Sequence, residues 1–97
     1  MTEGLRHRYK AEPAAMLLIQ PLDAMTAVYH RRSGITHIVS EPVPQILQVM
    51  AGETLTCGEI VARLRAAFDF DGVDAEKLIA ARLDEMASLG LLEQERA

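Results

Sequence analysis

The stretch from Tyr29 to Leu47 constrains the fold more than any other part of this sequence. Ser33-Gly34 supplies the positive backbone dihedral that a tight hairpin needs, and the β-branched run Ile35-Thr-His-Ile-Val follows it. Ser40 can then cap a helix, and Pro42 suits its first turn, where the missing N–H would have no partner. We therefore expect a tight hairpin whose second strand leads directly into a helix.

Two short apolar segments before this hairpin are further strand candidates. Residues 15–20 form an apolar run that stops at Pro21. Residues 25–30 show a weak period-two pattern, typical of a strand, with apolar side chains on both faces, since Met25, Ala27 and Tyr29 alternate with Thr26, Val28 and His30. Together with the hairpin, these segments predict a three-stranded antiparallel meander within residues 15–40.

After this meander, apolar residues recur at helical spacing and predict helices over residues 42–51, 56–68 and 74–89. Thr56 and Glu59 have the spacing of a capping box. Asp74 is placed to cap the third helix, and Gly90 to end it with a left-handed residue. Residues 69–73 indicate a polar loop. The predicted fold class is α+β and winged-helix-like, with a three-stranded antiparallel sheet followed by three helices on one of its faces.

The 97 residues, 49% of them hydrophobic, allow one compact domain. We expect this domain to cover residues 15–93, after a flexible N-terminal arm over residues 1–14 and before a short tail over residues 94–97. The longest uncharged run, Pro13 to Leu22, is too short to cross a bilayer, and no secretory signal opens the chain. We therefore expect a cytoplasmic protein with no membrane partner.

Charge is distributed unevenly along the chain. The first ten residues hold three Lys or Arg residues and one Glu, whereas residues 11–97 hold the other seven basic and thirteen acidic side chains, a net charge of −6. An acidic body is a poor electrostatic match for a phosphate backbone. We therefore expect no nucleic-acid partner, and we interpret the basic start as part of the terminal arm.

The residue types that carry catalysis or bind metal do not form a recognisable group. Cys57 is the single cysteine, so we interpret it as a small apolar residue at a helix start. His30 and His37 would face each other across a two-residue turn, but further zinc ligands are missing from the hairpin. Ser33 and Ser40 have no base positioned beside them by sequence. We expect no catalytic residue, no metal and no cofactor.

The order of these elements resembles the PqqD family, small peptide-recognition domains also called RiPP recognition elements. The resemblance covers about residues 15–93. It is closest to the PqqD-related branch associated with an HPr-kinase-like protein, called HPr-rel-A, because of the hairpin sequence Ser-Gly-x-Thr-His. The matching segments are Ser33 to His37, Pro42 to Leu47, Leu55 to Val61 and Leu83 to Glu93.

The resemblance implies a non-catalytic peptide chaperone, which binds the leader peptide of a ribosomal precursor and presents it to a modifying enzyme. In this branch the enzyme partner would be an HPr-kinase-like protein. An extended peptide would pair with the free edge of the third strand, and the third helix would complete the groove. The candidate peptide-binding residues lie on these two elements and are Ile35, Thr36, His37, Ile38, Val39, Lys77, Leu78, Ala81, Arg82 and Glu85.

Arg82 departs from the family's pattern, in which this position is usually apolar. One interpretation is that Arg82 selects an acidic leader residue. The alternative is a solvated helix residue paired to Asp84, Glu85 or another nearby acid.

Two other functions stay open at this point. The runner-up is a small winged-helix regulator that reads DNA with its third helix, although residues 74–89 carry four acidic and two basic side chains. The other is a plain protein–protein adaptor for the HPr-kinase-like partner. The oligomeric state also stays open, a homodimer included.

Overall fold

The computed structural model describes residues 7–68 and 74–96. Along the chain its elements are β1 His7–Ala11, a 3-10 turn Ala14–Met16, β2 Leu17–Leu22, β3 Met25–His30, β4 Ile35–Val39, α1 Val43–Met50, β5 Thr54–Thr56, α2 Cys57–Phe68, α3 Ala75–Ser88 and β6 Leu92–Arg96. Strands β2, β3 and β4 form one antiparallel sheet in that order, and β5, β1 and β6 form a second, with β1 in the middle. A mixed α+β fold is thereby confirmed.

The meander predicted within residues 15–40 is present as β2-β3-β4, with β4 at an edge. Its second turn differs from the prediction, because His30 pairs with Ile35 and four residues lie between them. The Ser33 hydroxyl accepts the Ile35 N–H at 3.3 Å, and Gly34 takes a φ of 75°. Ser33-Gly34 therefore does not form a two-residue turn by itself, since the serine side chain supports a wider one. His37 consequently lies opposite Val28 rather than His30.

The second sheet corrects the expectation of a terminal arm and tail. Residues 7–11, which we expected to lie in a flexible arm, form the central strand β1, and the Tyr9 side chain is only 3% exposed. Along β1, the buried residues Tyr9 and Ala11 alternate with the exposed residues Arg8 and Lys10. The sequence analysis missed this alternation because it interpreted the basic residues as part of a terminal arm. Residues 94–96, expected in the tail, belong to β6. Residues 1–6 of the expected arm lie outside the described residues.

The hydrophobic core lies mainly between the three helices and the β5-β1-β6 sheet. The most extensive strand contacts of the helices are with β1, β5 and β6, so the expectation that they pack on one face of the meander is corrected. The meander contributes Val28 and Val39 to this core. The largest fully buried side chains are Ile46, Met50, Ile60, Leu64, Ile79, Leu83, Met86, Leu91 and Val28. No helix within residues 7–68 and 74–96 has the length and apolar character to cross a membrane.

The ends of α2 and α3 follow from local sequence. The Thr56 N–H donates to Glu59 Oε1 at 2.8 Å and the Glu59 N–H donates to Thr56 Oγ1 at 3.2 Å, so the predicted capping box is confirmed. Gly90, with a φ of 83°, ends α3 as predicted. The Leu91 N–H then donates back to the Met86 carbonyl at 2.9 Å, which returns the chain to the core.

The start of α1 differs from the prediction. Pro42 occupies the N-cap position, and Ser40 contributes only its backbone carbonyl, which accepts the Val43 N–H at 3.0 Å. A serine side chain two residues before the N-cap does not reach the free donors of the first turn, so the prediction that Ser40 caps this helix is wrong. Asp74 occupies the N-cap of α3 as predicted, but within the described chain its side chain makes no cap bond. The predicted loop over residues 69–73 lies outside the described residues.

Candidate functional site

The direction of the main-chain hydrogen bonds decides which groups of β4 face the open edge of the meander. The Arg31 N–H donates to the Met16 carbonyl at 2.9 Å, which continues the pairing of β2 with β3. Alternate residues of a central antiparallel strand bond to opposite neighbours. Odd-numbered residues of β3 therefore bond to β2, and even-numbered residues, Val28 among them, bond to β4.

This alternation leaves two residues of β4 with outward main-chain groups. His37 lies opposite Val28, so the odd-numbered residues of β4 direct their N–H and C=O groups to β3. Thr36 and Ile38 direct theirs out of the sheet. The open edge thus offers two donors and two acceptors at the spacing that an added strand would use.

The opposite edge of the meander, along β2, offers fewer main-chain donors. By the same alternation, the outward N–H and C=O groups of β2 belong to Leu17, Ile19 and Pro21. Pro21 has no N–H, and a proline on an edge strand hinders the addition of another strand. Of the two meander edges, β4 is therefore the better template for an extended peptide.

The side chains of β4 alternate between the two faces of the sheet. Val39 is buried in the core, His37 is half-buried beside Val28, and Ile35 is exposed at the turn. Thr36 and Ile38 lie exposed on the other face. All five predicted strand residues therefore lie on one edge strand, four of them at least partly accessible.

A cleft of about 450 Å³ opens just beyond the end of β4. Its apolar wall comes from α2 and α3, where Phe68 and Leu78 are exposed. Its polar side comes from Glu41 and from Gln45, whose buried Oε1 has no hydrogen-bond partner among the described residues. The cleft can bury an apolar side chain that follows the edge of β4. The lining residues are Glu41, Pro42, Gln45, Leu64, Phe68 and Leu78.

Among the candidate residues on α3, the structure brings Leu78 into this cleft. Lys77, Ala81 and Glu85 are exposed. The Arg82 guanidinium donates to Glu85 Oε2 at 2.6 Å, one turn along the same helix. This pairing favours the interpretation of Arg82 as a solvated helix residue over direct selection of an acidic peptide residue.

A buried histidine cluster at the hairpin turn was missed by the sequence analysis. His30 Nδ1 lies 2.7 Å from Ser33 Oγ, and His30 Nε2 lies 2.9 Å from Glu12 Oε2. The statement that Ser33 lacks a positioned base is therefore wrong. Glu12 precedes His30 by 18 residues, so local spacing carried no signal of this contact.

The cluster fixes the hairpin turn to the end of β1. Arg32 donates to both carboxylate oxygens of Glu12, at 2.9 and 3.2 Å. The bonds from Arg32 are the main reason that the pKa of Glu12 lies below its usual range, and the contact with His30 is the second. Because the Ser33 hydroxyl also accepts the Ile35 N–H, the same network sets the register with which β4 begins.

Two further ionisable side chains, Tyr9 and Cys57, are buried in the core. The Tyr9 hydroxyl donates to Asp84 Oδ1 at 3.0 Å and so ties β1 to α3. Burial, reinforced by that bond, raises the pKa of Tyr9 to about 12. Burial also raises the pKa of Cys57 to about 11, so its thiol stays neutral at the start of α2. The interpretation of Cys57 as a small apolar residue is confirmed.

Across residues 7–68 and 74–96, no three His, Cys, Asp or Glu side chains gather in a group that could hold a metal ion.

Comparison of the chain with protein-family models, with curated proteins and with solved structures finds no match. The resemblance to the PqqD family, and the winged-helix likeness with it, therefore stay predictions. The candidate site rests on the geometry of β4 and the adjoining cleft.

Proposed function

We propose that this protein is a non-catalytic peptide-binding module that takes up an extended peptide as a fourth strand beside β4. The observation that carries the proposal is the outward N–H and C=O groups of Thr36 and Ile38 on a proline-free edge. Main-chain bonds to these groups would provide affinity for any extended chain. Selectivity would come from side-chain pockets along the same path.

The cleft beyond β4 supports a preference in the bound peptide. A strand added to β4 and running past Val39 would bring a side chain over Leu64, Phe68 and Leu78, where it gains apolar contacts. Glu41 adds an exposed acceptor at the rim, and none of the described residues that line the cleft is basic. An apolar residue flanked by a hydrogen-bond donor fits this cleft better than an acidic one.

The natural peptide, in this proposal, is the leader segment of a ribosomal precursor, and the protein presents it to a modifying enzyme in the cytoplasm. The resemblance to the PqqD family supports this role and suggests an HPr-kinase-like protein as the enzyme. Edge addition leaves the remainder of the precursor outside the binding site, where a second protein can reach it. The function requires no cofactor.

DNA binding is the less favoured function. The order α1, β5, α2, α3, β6 has the sequence of elements expected for a winged helix. However, α3, which would enter the major groove, carries three acidic and two basic side chains. One of the two basic residues, Arg82, is paired to Glu85. Both charge and pairing support a peptide ligand over a phosphate backbone.

The edge mechanism is tested by a pair of proline variants. A binding peptide is first selected from a library of extended peptides, and its affinity is measured by calorimetry. Ile38→Pro removes an outward donor of β4 and should weaken binding at least about tenfold, since a hydrogen bond is worth about 1 kcal/mol and the edge is distorted as well. Ile19→Pro makes the same change on the β2 edge and should leave affinity unchanged.

Circular dichroism must show that both variants are folded. Normal binding by a folded Ile38→Pro variant would show the edge mechanism to be wrong. Amide shifts on titration provide an independent map: residues 35–39 and 77–86 should move, and residues 41–45 beside the cleft with them, while residues 46–50 of α1 change little.

Charge reversal at Arg82 separates the two interpretations of that residue. If Arg82 contacts an acidic peptide residue, Arg82→Glu should weaken binding by about 1–3 kcal/mol. If Arg82 remains paired to Glu85, affinity should stay within about twofold. Nanomolar, sequence-specific binding of duplex DNA at physiological salt would overturn the peptide proposal altogether.

A further inference from the structure

The face of the β2-β3-β4 meander that carries Leu18 and Tyr29 is apolar and exposed. Cross-strand partners share a face, so the register assigns eight residues to this outer face. None of the eight is charged. Its large apolar side chains are between 36% and 55% exposed. The outer face consists of Leu18, Gln20, Leu22, Met25, Ala27, Tyr29, Thr36 and Ile38.

The area of the outer face is sufficient for an interface. Five of its side chains are large and apolar, and each is between 36% and 55% exposed. A large side chain offers about 200 Å², so these five present about 450 Å² in one copy and about 900 Å² in a pair. The exposed side chains of Gln20 and Thr36 on the same face bring the total to about 1,000 Å², the area at which a contact between proteins becomes a credible stable interface. The apolar part of this face lies within the range of the largest apolar patch that a monomer exposes.

The charges at the two ends of the meander identify the occupant and its orientation. The β2–β3 turn carries Asp23, and the β3–β4 turn carries Arg31 and Arg32, all exposed. Arg32 is already bonded to Glu12, which leaves Arg31 as the residue to pair across an interface. If a second copy stacks with its strands reversed, each Asp23 lies over the Arg31 end of the other copy. If the strands run the same way, arginines meet arginines.

We propose that two copies of this chain associate face to face through the outer face, about a twofold axis perpendicular to the strands. Sheets packed in this way lie about 10 Å apart, a distance that an arginine side chain and an aspartate can bridge at the ends. The edge of β4 stays open in both copies. The dimer therefore does not depend on the proposed peptide binding, and either can fail without the other.

Sedimentation equilibrium from about 1 µM to about 1 mM tests the dimer directly. The parent protein should associate reversibly. Leu18→Lys places an unpaired ammonium within the apolar face and should weaken association about a hundredfold. Leu89→Lys makes the same change at a leucine that is 51% exposed at the end of α3, and it should leave association unchanged. Met25→Lys provides a second variant should Leu18→Lys fail to fold.

A monomeric parent over this whole range would overturn the proposal. So would a folded Leu18→Lys or Met25→Lys variant that still dimerises like the parent. Equal loss of association in Leu89→Lys would equally overturn it, because that residue lies away from the outer face.

The orientation of the two copies has its own test. Arg31→Glu should weaken association about tenfold, because each new carboxylate would oppose Asp23 of the other copy. Adding Asp23→Asn to that variant should restore most of the lost association affinity. Asparagine tolerates the positive φ of 45° at this position. Arg65→Glu, on the exposed face of α2, is the matched control. If the second substitution restores nothing, the reversed-strand arrangement is wrong.

Discussion

Replacement of Tyr9 by phenylalanine tests whether the N-terminal segment is an integral part of the fold. Tyr9 lies in the central strand of the second sheet, and its hydroxyl donates to Asp84 on α3. A hydrogen bond to a charged group is worth about 1.5–3 kcal/mol. Asp84 is exposed and regains water when the hydroxyl is removed, so the lower part of that range applies. We expect Tyr9→Phe to lower the free energy of unfolding by about 1.5 kcal/mol at pH 8.

The same bond predicts a pH at which the parent protein and the Tyr9→Phe variant become equally stable. Burial raises the pKa of Tyr9 to about 12 in the fold, whereas an unfolded tyrosine ionises near about 10. The folded state therefore favours the protonated phenol. Its contribution is complete below about pH 10 and is lost as the pH rises through about 12. Two pKa units correspond to about 2.7 kcal/mol, and about half of this is lost by pH 11. The advantage of Tyr9 over phenylalanine should thus disappear near pH 11 and reverse above it.

Urea unfolding of both proteins, followed by circular dichroism from pH 8 to 11.5, measures the difference directly. Contributions from other titrating groups are common to both chains and cancel. Tyr29→Phe removes a hydroxyl from the exposed outer face and should change stability by less than about 0.5 kcal/mol at pH 8. If Tyr9→Phe were equally harmless at pH 8, the segment around residue 9 would be the flexible arm that the charge pattern suggested.

Three other substitutions test the framework of the fold by thermal or urea unfolding. Thr56→Ala removes half of the capping box and should cost about 1 kcal/mol, whereas Thr54→Ala, without a cap bond, should cost less. Leu83→Ala empties a fully buried position and should cost about 2–5 kcal/mol, in contrast to Leu89→Ala at an exposed one. The Arg32 guanidinium donates to Glu12 and keeps the pKa of Glu12 low in the folded state. The Glu12 carboxylate therefore stabilises the fold above the pKa that it has in the unfolded chain, and this stabilisation is lost as the pH falls through its pKa in the folded state. Glu12→Gln should therefore lower stability at pH 7 and flatten its decline below about pH 4.5, and an unchanged acid profile would contradict the contact.

The features that the sequence determined are those set within a few residues of one another. The capping box at Thr56 and Glu59 fixes where α2 begins, because each side chain reaches the other's backbone N–H. Gly90 ends α3 because a glycine accepts positive φ without a steric penalty. The alternation in residues 25–30 and the turn at Ser33-Gly34 likewise predicted the meander. The edge strand of the candidate site followed from these local signals.

Only the tertiary structure decided which segments pair across long stretches of the chain. Tyr9 pairs with Leu55 and Gln94, neither of which leaves a trace in the local pattern around residue 9. The contact that ties His30 of the hairpin to Glu12 also spans 18 residues of the chain. The cleft beyond β4 likewise requires three helices to converge. Local spacing encodes backbone dihedrals and caps, whereas these features arise because distant apolar surfaces are buried together and their polar groups must then find partners.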